Sequence, residues 1–213
     1  IVLDPYNINT KTGRFVLVDQ YETVGGGIIS MEGYPNQRGR HNVVSTNIEA
    51  VTSKIDQKTR ASVNGHKGGI IWLTGLSGAG KSTIAIEAER QLFQKGYQIY
   101  VLDGDNIRFG LSADLGFTPA DRTENIRRIG EVAKLFADAG VVVITAFISP
   151  YRDDRNRVRT IAPDQFHEVF IKADLSTCET RDPKGLYAKA RNGEIKDFTG
   201  VSAPYEEPTD ANL

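Results

Sequence analysis

The stretch from Gly69 to Gly96 constrains the fold of this chain more than any other part of the sequence. It begins with the apolar run Ile70–Leu73, which predicts a buried strand, and continues into the letters GLSGAGKS, a match to the pattern G-x-x-x-x-G-K-S. Apolar side chains then recur at helical spacing until Gly96, a residue type that commonly ends a helix. A strand, a glycine-rich loop and a helix in this order predict a phosphate-binding loop.

The chemistry of phosphate binding explains why the loop has this composition. Glycines let successive backbone N–H groups converge on phosphate oxygens, and the following helix adds the partial positive charge of its N-terminus. Lys81 can reach the β- and γ-phosphates, while the Ser82 hydroxyl can ligate Mg²⁺. The residues predicted to hold a nucleoside triphosphate are Gly75, Leu76, Ser77, Gly78, Ala79, Gly80, Lys81, Ser82 and Thr83.

Apolar runs and helical patterns alternate along the rest of the chain. Strands are predicted at residues 98–102, 141–148 and 166–173, and helices at 122–139 and 152–161. Such alternation is typical of parallel βαβ units, in which ligands gather at the carboxyl ends of the strands. The fold class is therefore predicted to be α/β, with a parallel sheet of the P-loop NTPase type flanked by helices.

Composition excludes several other classes of protein. With 213 residues, 39% of them hydrophobic, and a net charge of −1, the chain can bury a core but offers no broad basic face for nucleic acid. The apolar run 141–148 is too short to cross a membrane, and no signal peptide is visible. The single cysteine, Cys178, excludes an internal disulfide and suits a reducing compartment, so we expect a cytoplasmic protein.

Two aspartates follow the predicted strand 98–102. At the carboxyl end of a strand beside the phosphate loop, Asp103 and Asp105 could hold Mg²⁺ or accept a proton from an attacking hydroxyl. The alternative is a turn in which the aspartates cap backbone groups. We expect Asp105 to be the carboxylate nearest the acceptor hydroxyl and the metal, with Asp103 supporting it.

A group of arginines around Phe117 and a basic segment near the C-terminus have two interpretations each. The arginines, namely Arg108, Arg122, Arg127 and Arg128, are either solvated surface residues or the site of an anionic second substrate. The segment 181–200 is either an exposed connector or a lid that closes over phosphates and excludes water. Residue types alone leave both questions open.

Several further motifs give the region from about residue 48 onward a close resemblance to adenylylsulfate kinase. They are DGDNIR at 103–108, DLGF at 114–117, the residues 121–128, FISPYR at 147–152, DPKGLY at 182–187 and the segment 194–200. The resemblance implies that ATP, with Mg²⁺, phosphorylates the 3′-hydroxyl of adenosine 5′-phosphosulfate (APS), in a homodimeric enzyme of sulfate assimilation.

The resemblance also implies roles for individual residues. Lys81, Asp103, Asp105 and Ser149 are the expected catalytic residues, and Ser82 and Asp105 the expected metal ligands. Ser149 matches a serine described as a phosphoserine position, but in-line transfer needs no protein nucleophile, so we expect Ser149 mainly to position substrate. The residues expected to contact the acceptor are Asp105, Asn106, Arg108, Phe117, Arg122, Asn125, Ile148, Ser149, Lys184 and Phe198.

The N-terminal residues predict a separate piece of structure. Strand-like runs at 15–19 and 24–29 predict a β-hairpin. This part resembles the last strands of the β-barrel domain in the GTPase subunit of sulfate adenylyltransferase. We therefore expect a β-barrel remnant at 1–33, a linker at 34–47 and the kinase domain at 48–213. The chain begins with Ile1 rather than methionine, which predicts a longer, bifunctional parent.

Two rival functions are weighed against the kinase. A GTPase needs a guanine-reading N-K-x-D after its phosphate loop, and the sequence has none there. A nucleotide-binding regulatory module without turnover would tolerate loss of the catalytic residues. The presence of Lys81, Ser82, Asp103 and Asp105 favours an active enzyme over that module.

Overall fold

A computed structural model describes residues 14–19, 22–28, 49 and 51–213. The chain divides into two compact units, Ile1–Glu49 and Ala50–Leu213. Residue 48, where the sequence places the domain boundary, and the linker 34–47 lie outside the described residues. The domain division proposed from the sequence therefore stays a prediction.

The first unit contains a β-hairpin, as the sequence predicts. Strand β1 spans Arg14–Asp19 and strand β2 spans Glu22–Ile28, and the two pair in antiparallel fashion. The pairing register shifts between Leu17 and Val18, which is where a bulge breaks the regular alternation.

The second unit alternates strands and helices. In chain order its elements are α1 (Gln57–Asn64), β3 (Gly69–Thr74), α2 (Lys81–Gln94), β4 (Ile99–Asp103), α3 (Gly104–Arg108), α4 (Pro119–Asp138), β5 (Val142–Ala146), α5 (Arg152–Ile161), β6 (Phe166–Phe170), α6 (Leu175–Arg181) and α7 (Leu186–Arg191). Strands β3 to β6 form one parallel sheet in the order β4-β5-β3-β6. This confirms the predicted α/β class.

Helices cover both faces of the sheet. On one face, Trp72 and Val143 pack with Ile129 of α4 and Val158 of α5 in a fully buried cluster. Close approach of α4 and α5 depends on Gly130, because a Cβ there would lie 2.7 Å from a methyl carbon of Val158. On the other face a smaller cluster, formed by Leu73, Ala85, Ile144 and Ala146, packs α2 against the sheet. The strand ends that carry the phosphate loop are thereby fixed from both sides.

The structure differs from the sequence prediction at element boundaries. Helix α4 begins at Pro119 rather than at residue 122, because Thr118 and Asp121 form a capping box. Strands β5 and β6 are shorter than predicted, and the short helices α3 and α6 were not predicted. Within the described residues, no helix is both long and apolar enough to cross a membrane.

The C-terminal segment covers the outer edge of β6. The backbone N–H of Phe170 donates to the carbonyl of Leu213 at 2.9 Å, and Asn212 pairs with Glu168 through its backbone N–H and its side-chain oxygen, each at 2.8 Å. An uncovered edge strand would present unpaired backbone groups. The last residues therefore complete one side of the sheet.

Candidate active site

The phosphate loop lies between β3 and α2, at the carboxyl end of the central strand pair. Gly75 has φ 150° and Gly78 has φ 75°, a region that favours glycine. A Cβ at Gly75 would also lie 2.6 Å from the carbonyl oxygen of Ile171. The loop conformation therefore favours glycine at both positions, and the same holds for Gly80 with φ 109°; Gly75 and Gly80 are the two glycines that the sequence pattern specifies.

Lys81 is the first residue of α2 and is 8% exposed. Its Nζ donates to the carbonyls of Gly75 at 2.9 Å and Leu76 at 2.7 Å. Burial lowers the pKa of the Lys81 ammonium from its ordinary 10.5 to about 8. The cation is thus held inside the loop, where phosphate oxygens would complete its coordination.

Ser82 and Asp103 bring a hydroxyl and a carboxylate together beside the loop. The Ser82 hydroxyl donates to Asp103 Oδ2 at 2.6 Å, joining α2 to the end of β4. Within the described part of the chain no three His, Cys, Asp or Glu side chains could hold a metal ion by themselves. Mg²⁺ at phosphoryl-transfer sites takes one or two protein oxygens together with phosphates, so this donor pair fits it.

Asp103 and Asp105 have different surroundings. Asp103 also caps α3, since its Oδ1 accepts from the backbone N–H of Asp105 at 3.0 Å. The capping interpretation is therefore confirmed for Asp103, while a role of either aspartate toward Mg²⁺ or the attacking hydroxyl stays a prediction. Asp105 is 64% exposed at its side chain and forms an ion pair with Lys184. Asn106 follows in the same short helix with an exposed side chain. The structure places Asp103, rather than Asp105, beside Ser82.

Only part of the arginine group faces Phe117. The Arg108 guanidinium lies over the Phe117 ring at 4.2 Å from its centroid, and Nη1 donates to the carbonyl of Gly116 at 2.9 Å. Arg127 and Arg128 instead form ion pairs, both with Glu124 and the second also with Asp114. The Phe117 ring is 61% exposed, so its free face can stack on an aromatic ligand.

Arg122 extends from the first turns of α4 into the protein and is 9% exposed. Its three nitrogens donate to the Phe117 carbonyl at 2.9 Å, to the Thr199 hydroxyl at 2.6 Å and to the Asp197 carbonyl at 2.5 Å. Burial lowers the pKa of the Arg122 guanidinium. One turn further along α4, the side-chain oxygen of Asn125 is buried without a hydrogen-bond partner, as expected of a group that accepts from a ligand.

Ser149 lies in a turn after β5 and is 2% exposed. Its φ of 39° is unusual for a residue with a Cβ. The hydroxyl accepts from Trp72 Nε1 at 3.1 Å and lies 3.5 Å from the Phe147 carbonyl. The neighbouring Ile148 carbonyl accepts from the Thr74 hydroxyl at 2.8 Å. No carboxylate or imidazole is among these partners, which favours a positioning role for Ser149.

A buried cluster of charged side chains holds the Ser149 turn in place. Arg155 donates to the Ser149 carbonyl at 2.8 Å and to Glu168 Oε1 at 2.6 Å, while Arg159 donates to Glu168 Oε2 at 2.6 Å. The Arg155 and Glu168 side chains are 1% and 2% exposed. Arg155 also donates to the Glu206 carbonyl at 2.8 Å, so the C-terminal segment and the turn are held by one guanidinium.

The segment 181–200, which we call the lid segment, contacts the phosphate loop. The Tyr187 hydroxyl donates to the Ser77 carbonyl at 2.9 Å, and Arg181 Nη1 lies 3.3 Å from the Ala79 carbonyl. Phe198 is 8% exposed and meets Tyr187 edge-to-face with ring centroids 5.0 Å apart. Tyr187 and Phe198 are therefore packed against the phosphate-loop region while most of the segment is exposed, and Phe198 presents less free ring surface than Phe117.

Comparison with known proteins decides between the classes of kinase that such a site could serve. A sequence model of the family described as adenylylsulphate kinase matches residues 67–213. The chain belongs to the adenylylsulphate kinase family. The matched residues contain the phosphate loop, both aspartates, the Ser149 turn and the lid segment.

Close relatives and solved structures agree with this membership. The chain is 63% identical over 162 residues to an adenylyl-sulfate kinase of Bacillus pumilus, covering 76% of this chain and 82% of the relative. A probable adenylyl-sulfate kinase of Bacillus subtilis is 67% identical over 146 residues, 68% of this chain and 74% of the relative. The Mycobacterium tuberculosis APS kinase CysC, solved with AMPPNP and APS, is 53% identical with a TM-score of 0.66, over 68% of this chain and 86% of that one.

The sequence does not reveal the roles of three residues that organise the site. Thr199 holds Arg122, Tyr187 joins the lid segment to the phosphate loop, and Glu168 neutralises Arg155. A glutamate inside the predicted strand 166–173 was a usable signal, because a buried strand carboxylate requires a partner. Tyr187 and Thr199 lie inside the segments 182–187 and 194–200 that carry the resemblance, but nothing in the sequence shows their contacts, because their partners are distant along the chain.

Proposed function

We propose that this chain transfers the γ-phosphoryl group of ATP to the 3′-hydroxyl of APS, giving 3′-phosphoadenosine 5′-phosphosulfate and ADP. The observation that carries the proposal is the family match over residues 67–213, with the phosphate loop, Asp103 and Asp105 together at the carboxyl ends of parallel strands. The solved relative with AMPPNP and APS supports this pair of substrates.

Each residue has a defined task in this reaction. Lys81 and the N-terminus of α2 stabilise the charge that develops on the transferred phosphoryl group. Ser82 and Asp103 would hold Mg²⁺, which would supply positive charge to neutralise the phosphate oxygens during transfer. Asp105 accepts the proton of the acceptor 3′-hydroxyl while the oxygen of that hydroxyl attacks the γ-phosphorus of ATP. ADP leaves on the opposite side of the phosphorus. This revises the expected metal pair, Ser82 and Asp105, because Asp103 is the carboxylate beside Ser82.

The acceptor site is proposed around Arg108, Phe117 and Arg122. The exposed face of Phe117 would stack on adenine, a contact on the order of 1–3 kcal/mol for bases on proteins. Arg108 and Arg122 supply cationic donors for the phosphosulfate, which guanidinium groups can bind through paired hydrogen bonds. The remaining expected contacts are Asn106, Asn125, Ile148, Ser149, Lys184 and Phe198.

Coupled ADP release tests the function. Purified protein with ATP and Mg²⁺ should release ADP only when APS is added, and adenosine 5′-monophosphate should not replace it. Lys81→Ala should lower turnover by several orders of magnitude, because the transition state loses its nearest counter-ion. Binding of ATP without APS-dependent turnover in the wild type would instead favour a regulatory nucleotide-binding module.

A homodimer is the proposed assembly. Ile86 and Phe93 lie seven residues apart on α2 and are 62% and 70% exposed, and Tyr100 on the edge strand β4 is 52% exposed. Ile86 and Phe93 share one face of α2, whereas Tyr100 stacks on Phe136 of α4 on the opposite face of the sheet. Exposed apolar side chains such as those on α2 are typical of association surfaces. Sedimentation analysis of wild type and Phe93→Glu tests this, and a wild-type monomer at all concentrations would contradict it.

The hairpin of the first unit is proposed to be a remnant of a β-barrel domain from a sulfate adenylyltransferase subunit. Val16, Val18 and Val24 are each at least 61% exposed, which is costly for an isolated hairpin and ordinary for part of a larger sheet. A bifunctional parent should show sulfate adenylyltransferase activity in the same polypeptide.

The free, buried Cys178 supports a reducing, cytoplasmic location.

A further inference from the structure

The hydrogen bonds of Arg122 join two distant parts of the chain. Nε donates to the Phe117 carbonyl at the start of α4, whereas Nη1 and Nη2 donate to Thr199 and Asp197 in the lid segment. A guanidinium has five N–H donors in a fixed plane. With three of them directed at protein acceptors, the plane of the group is set, and one N–H on each terminal nitrogen remains for a ligand.

The surroundings of Arg122 contain an independent sign of a ligand. Asn125 lies three residues further along α4, on the same face of the helix. It is 5% exposed, and its side-chain oxygen has no hydrogen-bond partner. A buried acceptor left unpaired costs about 1–3 kcal/mol unless a ligand or water supplies the donor. Arg122 and Asn125 together offer donors and an acceptor to one molecule.

Thr199 is well suited to hold the guanidinium still. It is 1% exposed and belongs to a tight loop, residues 197–203, that is closed by its own hydrogen bonds. The carbonyl of Phe198 accepts from the backbone N–H groups of Val201, Ser202 and Ala203 at 3.0 Å each. The Ser202 hydroxyl in turn accepts from the Phe198 N–H at 2.9 Å. The Thr199 hydroxyl therefore has little freedom to leave Arg122.

The same loop is fixed on its other side by the phosphate loop. Phe198 packs edge-to-face against Tyr187, whose hydroxyl donates to the Ser77 carbonyl. Phe198 also shares a buried cluster with Ala79. These contacts fix the position of Thr199 relative to the phosphate loop, although the two are far apart in the sequence.

We infer that Thr199 is a positioning residue of the acceptor site, which orients the Arg122 guanidinium so that its two remaining N–H groups face the phosphosulfate of APS. This inference rests on the proposed function. Thr199 itself does not touch substrate, and it acts through Arg122. Loss of its hydroxyl removes one of three anchors and leaves Nη1 without its protein acceptor, so the guanidinium is held less firmly by the two bonds that remain.

Calorimetric titration of APS, with ADP present, tests the inference on three variants. Thr199→Val keeps the shape and removes the hydroxyl, and Thr199→Ser restores the hydroxyl. Thr123→Val is the matched control, because Thr123 is a buried threonine of α4, next to Arg122, and its hydroxyl donates to Asp154 at 3.0 Å instead. Thermal unfolding of each variant measures how far the substitution lowers the stability of the fold.

The expected result is selective for the acceptor. Thr199→Val should weaken APS binding by about tenfold or more, as expected for lost hydrogen bonding to a charged group, and leave ADP affinity within about twofold. Thr199→Ser and Thr123→Val should bind APS like the wild type.

Equal APS affinity in Thr199→Val and wild type would overturn the inference, as would equal losses in Thr199→Val and Thr123→Val. A wild type that neither binds APS nor releases ADP in its presence would overturn the proposed function, and the inference with it. Normal wild-type turnover together with an unaffected Thr199→Val would overturn the inference alone.

Discussion

Replacement of Ser149 separates two properties of that residue, its hydroxyl and its backbone conformation. The hydroxyl accepts from Trp72 Nε1 at 3.1 Å, and Trp72 is 0% exposed. The backbone has φ 39°, which glycine adopts freely and alanine does not. Ser149→Ala therefore removes the acceptor and keeps the strain, whereas Ser149→Gly removes both. The Ser149 carbonyl keeps its bond from Arg155 in either variant.

The sizes of the two effects follow from these contacts. Leaving the buried Trp72 N–H unpaired should lower the free energy of unfolding of Ser149→Ala by about 1–3 kcal/mol. Release of backbone strain should make Ser149→Gly more stable than Ser149→Ala by about 1 kcal/mol, after allowing for the greater freedom of an unfolded glycine. Both variants should keep kcat within about tenfold of wild type, because in-line transfer requires no protein nucleophile.

Urea unfolding followed by tryptophan fluorescence measures the first two quantities, and coupled ADP release measures the third. Trp72 is the single tryptophan of the chain, so its emission reports this turn directly. An alanine variant as stable as the glycine variant would refute the backbone reasoning. Loss of activity in both variants, with a phosphorylated Ser149 trapped at a kinetically competent rate, would refute the positioning role.

Three further predictions concern charge. Glu168→Gln should lower the free energy of unfolding by about 3–5 kcal/mol in urea, since it leaves Arg155 buried without its partner, whereas Glu87→Gln on the exposed face of α2 should match wild type. In a pH series, kcat/KM for ATP should fall above pH about 8, because Lys81 loses its proton there. A value of kcat/KM that stays constant to higher pH would contradict this prediction. Asp105→Asn should lower kcat far more than ATP affinity, and the reverse pattern in steady-state kinetics would reassign Asp105 to binding.

The sequence predicts the sheet well because β3, β4 and β5 are largely apolar runs, whereas β6 is interrupted by His167 and Glu168. Residues 70–73 and 98–102 are predicted as strands, and β3 and β4 lie there with shifts of one residue at their ends. Helices α3 and α6 escape prediction since five and seven residues are too few to show a helical period. The start of α3 also depends on a cap, the Asp103 side chain, which a sequence shows only as a turn-like residue.

The sequence predicts which residues form the site but not which of their side chains contact each other. The phosphate loop, Asp103 and Asp105 follow from strand ends and spacing. That Ser82 meets Asp103, and that Arg122 meets Thr199 from 77 residues away, depends on how the sheet and the lid segment pack. Side-chain contacts over such separations leave no periodic pattern in one sequence. For this reason the sequence predicts Ser82 and Asp105 as the metal ligands, whereas the structure places Asp103 beside Ser82.

Transfer of labelled phosphate from γ-³²P-ATP tests the central claim most directly. The protein is incubated with Mg²⁺, labelled ATP and either APS or its 3′-deoxy analogue, and the nucleotides are separated by chromatography. The account predicts label in 3′-phosphoadenosine 5′-phosphosulfate, matched by ADP, and no labelled product from the analogue, because the 3′-hydroxyl is the attacking group. Label transferred to the 3′-deoxy analogue, or no transfer to APS by folded wild-type protein, would contradict it.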